Sequence, residues 1–216
     1  MSGKQKSKEE ENKNIEFKII TLGDSGVGKT SIIRRYVYNI YDDNSLSTVG
    51  LTFSFKDIIL KNNKKVQLKL IDTGGQEKYR ALSKSYFRNA EAVLFVFGLD
   101  EKDSYENMQE WIRLFNENHN GKEGIPHYLI GNKSDLERNI DKNLIEEFAK
   151  NNNLCYKETS AKKNICIDEI FEEIAEKLYE DYEKSGRGKR AQSVIKITHK
   201  KKKKKVCCLS GPDNME

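Results

Sequence analysis

The chain has 216 residues, 36% of them hydrophobic and 34% charged, enough for one domain with a sizeable core plus tails. No run of 18 apolar residues occurs, which excludes a membrane-spanning helix, and four cysteines without framework or zinc spacing exclude a disulfide scaffold and point to a reducing compartment. The net charge of +5 is unevenly placed: Lys184 to Lys205 holds eleven Lys/Arg and no acid, so the rest, five less eleven, carries −6. Basic charge on a tether instead of a folded body argues against a nucleic-acid partner.

Met1 to Asn14 is Lys/Glu/Asn-rich and reads as a disordered leader, without a signal peptide's apolar stretch. Ile15–Leu22 reads as a strand ending at Gly23, and Thr30–Val37 as a helix. Leu51–Leu60 and Val66–Ile71 alternate as two strands, with Lys61-Asn62-Asn63-Lys64 supplying the turn of a hairpin. Ala92–Phe97 is continuously apolar, as buried parallel strands are. Ser104–Asn118 has helical spacing, with Met108, Trp111, Ile112 and Phe115 on one face and Ser104 as N-cap. His127–Ile130 (strand), Leu144–Lys150 (helix), Leu154–Lys157 (strand) and Ile167–Tyr182 (long amphipathic helix) follow. Alternating strands and helices predict an α/β three-layer sandwich: six strands, mostly parallel with one antiparallel edge strand, and about five helices. Right-handed crossovers then gather the post-strand loops at one edge, where ligands bind. The layout expected is residues 1–14 as leader, 15–182 as the domain and 183–216 as a disordered basic tail.

Gly23-Asp24-Ser25-Gly26-Val27-Gly28-Lys29-Thr30 matches G-x-x-x-x-G-K-[ST] between a strand and a helix. Its glycines let successive N–H groups face phosphate oxygens, and the helix N-terminus favours the same anion. Lys29 would reach the β- and γ-phosphates, and Thr30 would offer a hydroxyl to Mg²⁺. This loop specifies a nucleoside triphosphate and leaves the base open. Asn132-Lys133-Ser134-Asp135 chooses guanine, because a carboxylate at Asp135 can accept from N1–H and the 2-amino group, a donor pair adenine lacks. Ser160-Ala161-Lys162 can meet O6 with its backbone and flank the ring with Lys162. At Asp72-Thr73-Gly74-Gly75-Gln76-Glu77, Asp72 would hold Mg²⁺ through water, the Gly75 N–H would sense the γ-phosphate, and Gln76 would orient the attacking water. Singly, these short segments also read as a polar turn or a helix cap; ordered after successive strands they form one pattern.

From about Glu16 to Tyr182 the chain resembles the Ras-like small GTPases, and among them the Rab family. The resemblance is carried by GDSGVGKT, STVG, DTGGQE, GNKSD and ETSAK, with Val49-Gly50-Leu51-Thr52-Phe53, Lys78-Tyr79-Arg80 and Ser85-Tyr86-Phe87-Arg88-Asn89-Ala90 giving the Rab flavour. It implies GTP/GDP and Mg²⁺ as ligands and slow hydrolysis, on the order of 10⁻⁴ to 10⁻³ per second without a partner's arginine. It implies that Thr48 ligates Mg²⁺ and contacts the γ-phosphate, that Tyr41 flanks the base, and that Ser31 and Leu136 join the nucleotide contacts. Catalysis would rest on Gln76, Lys29 and Thr48. Exchange factors, GTPase-activating proteins and effectors reading residues 45–53 and 72–90 are the implied partners, in vesicle traffic on the cytosolic face of a membrane.

The departures from the Rab pattern are Gly74 for alanine, read as backbone freedom in the switch, Ile71 where Rab proteins have Trp beside Phe53 and Tyr86, and Ser45 where an aromatic often covers the phosphates. The tail, six lysines, Val206 and Cys207-Cys208, resembles a Rab tail whose two cysteines are geranylgeranylated, but eight residues follow Cys208 and position 213 is Asp, so no C-a-a-X box ends the chain. Basic charge with lipid is a sound membrane pair; a solvated tail or a nuclear-import signal also fits it. The competing readings are a nucleotide kinase, for whose second pocket and arginine-rich lid there is no room, a nucleotide-locked scaffold, and a signalling GTPase outside the Rab group.

Overall fold

The structure is a computed structural model that describes residues 15–43, 48, 50–74, 87–121 and 123–186. The chain divides into two compact units, Met1–Leu178 and Tyr179–Glu216; of the second, residues 179–186 are described. The leader, Ser45, Val49, Gly75 to Arg80, Ser85, Tyr86 and the tail with Cys207 and Cys208 lie outside the described residues.

The strands are β1 (Ile15–Leu22), β2 (Leu51–Ile59), β3 (Lys65–Thr73), β4 (Ala92–Gly98), β5 (His127–Asn132) and β6 (Cys155–Glu158). They form one sheet in the order β2-β3-β1-β4-β5-β6, parallel except for β2 against β3. The six-stranded α/β expectation holds, including the antiparallel edge. The hairpin forms because Asn63 tolerates φ 59° and donates its N–H to Leu60 O at 2.8 Å, while the Leu60 N–H donates to Lys64 O at 2.9 Å. β4 is buried at every position, which is why it reads as an unbroken apolar run.

Helices α1 (Lys29–Tyr38), α2 (Lys102–Glu106), α3 (Met108–Asn118), α4 (Lys142–Asn151) and α5 (Ile167–Lys184) cross the sheet faces among the described residues. The sequence predicts one helix over Ser104–Asn118 capped by Ser104. The structure instead breaks the helix at Asn107 and starts α2 at Lys102. Ser104 is no cap, because its hydroxyl is spent inside: it accepts from the Gly98 N–H at 3.0 Å and donates to Glu101 O at 2.7 Å, fastening α2 to the end of β4. The apolar face of α3 is as expected: Met108, Trp111, Ile112 and Phe115 are buried against Phe95, Phe97 and Phe87. Phe95 meets Phe115 edge-on at 5.9 Å between ring centroids. Truncating a buried Phe of this kind costs about 3–5 kcal/mol.

Candidate functional site

Parallel strands put their C-terminal loops on one edge of the sheet, and there the chain forms a cleft of about 320 Å³. Its lining includes Ser25, Gly26, Gly28, Lys29, Thr30 and Ser31 from the loop after β1, Tyr41 and Thr48 from the segment after α1, and Asn132, Lys133, Asp135, Leu136, Ala161 and Lys162 from the loops after β5 and β6. These residues, all singled out from the sequence, are brought together from four separated segments.

At the phosphate end, Gly26 and Gly28 adopt φ of 81° and 94°, which disfavours a side chain at either. A Cβ on Gly28 would also lie 2.3 Å from Asn132 Nδ2. Lys29 is buried and donates to Gly23 O at 2.9 Å and Asp24 O at 2.6 Å. Burial pulls its ammonium down to about 8, partly offset by Asp72 and Asp24. A buried ammonium held by two carbonyls of a glycine-rich loop suits a polyphosphate.

Beside it, Thr30 Oγ1 lies 2.5 Å from Thr48 Oγ1 and donates to Asp72 Oδ2 at 2.7 Å. Asp72 is buried, its carboxyl is pushed above the usual carboxylate range by desolvation, and Oδ1 has no hydrogen-bond partner among the described residues. A hard divalent cation fits this set: two hydroxyls and one carboxylate with a buried, unsatisfied oxygen. Thr30, Thr48 and Asp72 would hold Mg²⁺, which supplies neutralisation of phosphate charge.

At the base end, Asn132 closes β5, two residues beyond the strand end expected, and braces the loops. Its Nδ2 donates to Val27 O at 2.9 Å, while its Oδ1 accepts from Thr159 Oγ1 at 3.1 Å. Ser160 is buried and donates to Asp135 Oδ1 at 2.5 Å, orienting the carboxylate expected to read guanine. Val27, Ser160, Asp72 and Asp24 thus stand behind the lining and shape it. Gly75 and Gln76 lie outside the described residues.

Sequence reading missed several participants. Asp43 accepts from Lys162 Nζ at 3.0 Å across the cleft mouth, which holds the Asp43 carboxyl below the usual range. Arg35 donates to Ala161 O at 2.9 Å and lies 5.9 Å from the Tyr41 ring centroid. Asp100 accepts from Lys133 Nζ at 3.0 Å. Only Asp100 carried a signal, its place in the loop after a central strand. Gly74 also acts differently from the expectation of added freedom: a Cβ there would lie 2.6 Å from Thr48 O and 3.2 Å from Gly50 O, so glycine permits close approach of those residues to the end of β3. Ile71 is buried while its cross-strand partner Phe53 is exposed.

A phosphate loop on a parallel sheet, a hydroxyl–carboxylate cation site and an N-K-x-D loop over one cleft define a P-loop guanine-nucleotide-binding protein. A model of the Ras family matches residues 18–180. Ras-related protein Rab-13 of Rattus norvegicus is 32% identical over 198 residues, covering 89% of this chain and 96% of its own. Ras-related protein Rab-10 of Diplobatis ommata is 36% identical over 164 residues, 75% and 80% of the two chains. GTP-binding protein ypt1 of Schizosaccharomyces pombe is 31% identical over 201 residues, 89% and 96%. The chain belongs to the Ras family, as a divergent Rab-type small GTPase. It is a GTP-hydrolysing enzyme that takes GTP or GDP with Mg²⁺, regulated by exchange factors, activating proteins and effectors. No helix among the described residues is long and apolar enough to cross a membrane.

Proposed function

We propose that this GTPase is a switch in vesicle traffic, with a GTPase domain over residues 15–182 and a tail, 183–216, that carries it to the cytosolic face of an intracellular membrane. Its similarity to Rab-type proteins over nearly the full length supports the traffic reading. The basic run Lys200–Lys205 beside Cys207-Cys208 supports the membrane reading, because each lysine near an anionic leaflet contributes about 1 kcal/mol and a lipid chain adds a second hold. Prenylation of Cys207 and Cys208 is part of this proposal.

The observation that carries the switch is the meeting of Lys29, Thr30, Thr48 and Asp72 with Asn132, Lys133 and Asp135 around one cleft. Phosphoryl transfer asks the protein for positioning and neutralisation. Lys29 and the loop N–H groups hold the phosphates, Asp135 selects the base, and Thr48 and Gln76 place the attacking water, with the Gly75 N–H marking the γ-phosphate. Loss of that phosphate frees Thr48 and Gly75 from it, and the surfaces at 45–53 and 72–90 change for effectors.

Competition of GTP and ATP for the protein, then single-turnover hydrolysis, tests the nucleotide roles. Gln76→Leu should stay in the GTP state even with an activating protein; normal turnover by that variant removes Gln76 from the mechanism. Localisation of the intact chain beside a Cys207/Cys208→Ser variant, with mass spectrometry of the C-terminus, tests the membrane role. An intact, unmodified tail sinks it.

A further inference from the structure

The phosphate loop contains a residue of the wrong sign. Asp24 sits between Gly23 and Ser25, where a carboxylate would repel a polyphosphate. Its two oxygens are both taken up from one direction: Trp111 Nε1 donates to Oδ1 at 2.7 Å and Asn107 Nδ2 donates to Oδ2 at 2.7 Å. Asn107 and Trp111 are one helical turn apart, and the break between α2 and α3 at Asn107 places the two donors on the same side of α3. Trp111 is buried with Met108, Ile112 and Phe115 in the core, so its indole N–H stands on a rigid platform.

The loop needs such a hold. Gly23, Gly26 and Gly28 all have positive φ, and a glycine-rich backbone is costly to order. Its ends are fixed, Gly23 by close approach to Val96 O and Val27 by Asn132. Asp24 lies between these fixed points, and its own carbonyl is one of the two that receive the Lys29 ammonium. We propose that Asp24 is a positioning residue for phosphate binding, clamped by Trp111 and Asn107 so that its backbone sets the curvature of the loop and the place of Lys29. This rests on the reading that nucleotide binds at that loop.

Charge and positioning give opposite expectations, which makes the test sharp. If Asp24 acted only through its charge, Asp24→Asn would bind phosphate more tightly. If it is a clamp, Asn supplies one acceptor for two donors and the loop loosens. Release of mant-GDP in excess Mg²⁺ should therefore be roughly tenfold faster in Asp24→Asn, the size expected for losing a hydrogen bond to an ionised acceptor. Asn107→Ala and Trp111→Phe should each speed release as well, and the Asp24→Asn/Trp111→Phe double variant should release more slowly than the product of the two single effects. Trp111 is the single tryptophan, so its emission reports the contact: the maximum should differ between the GDP-loaded wild type and Asp24→Asn. Release unchanged or slowed in Asp24→Asn, or effects that add fully in the double variant, overturn the clamp. Asn107→Ala, at an exposed position, keeps the test available if Trp111→Phe fails to fold. A wild-type protein that binds no mant-GDP would instead refute the nucleotide site itself.

Discussion

Asn132 Nδ2 donates to the Val27 carbonyl at 2.9 Å, joining the end of β5 to the phosphate loop across 105 residues of chain. The same side chain accepts from Thr159 Oγ1 and, at 3.3 Å, from the Ala161 N–H, so one buried amide ties the end of β5 to both the phosphate loop and the loop after β6. Asn132→Ala removes all three bonds and leaves buried partners unsatisfied, each worth about 1 kcal/mol or more. GDP affinity should fall by about 10²-fold by titration of mant-GDP, with the thermal midpoint also lowered. Wild-type affinity in that variant would show that the brace is idle.

Gly74 stands where the Rab pattern has alanine. Close approach is the reason the geometry gives, since a Cβ at Gly74 meets the carbonyls of Thr48 and Gly50. Gly74→Ala should push the Thr48 segment outward and weaken GTP relative to GDP by roughly tenfold, the scale of 1–2 kcal/mol of overpacking. Paired GTP and GDP competition titrations read this ratio; an unchanged ratio argues that the segment adjusts freely.

Lys133, at φ 63°, is tied to Asp100 by an ion pair in which both side chains are 27% exposed. Asp100 Oδ1 is buried without a hydrogen-bond partner among the described residues, and a Cβ on Gly98 would lie 2.5 Å from it. Asp100→Ala should free the Lys133 ammonium and speed GDP release several-fold, about 1 kcal/mol for a half-screened pair. Stopped-flow release of mant-GDP decides it, and a rate equal to wild type would mean that Lys133 is held by its backbone alone.

His127 is packed edge-on against Phe95 and Phe115, and burial, with a contribution from His119, holds its imidazole below the usual histidine range. Its folded-state value is depressed, so the unfolded chain takes up a proton first as pH falls below about 6.5. Stability contributed by neutral His127 is present above that value and is lost on acidification, by at most about 1.4 kcal/mol per pH unit until the folded imidazole also protonates. Denaturation at pH 5 to 7.5 should show a shallower slope in His127→Phe than in the wild type. Parallel slopes would assign the acid sensitivity elsewhere.

Much of this was legible from the chain alone, for reasons tied to particular segments. β4 declared itself through an unbroken apolar run that the structure buries at every position, and the phosphate loop through glycines, which adopt positive φ at least cost. Asn132, Lys133 and Asp135 declared guanine because hydrogen-bond donors and acceptors must match the base atom by atom. The break at Asn107 was not legible, because the spacing from Ser104 to Asn118 is helical throughout and only contact with β4 turns the Ser104 hydroxyl inward.

The sequence by itself determined the chemistry: triphosphate, guanine, magnesium and the α/β frame, since each follows from residue type at fixed local spacing. The tertiary structure alone decided which residues hold that chemistry in place. Asp24 on Trp111, Asp100 on Lys133, Asp43 on Lys162 and Gly74 beneath Thr48 are long-range pairs. Nothing in a one-dimensional pattern brings their members together; the crossing of helices over a parallel sheet does.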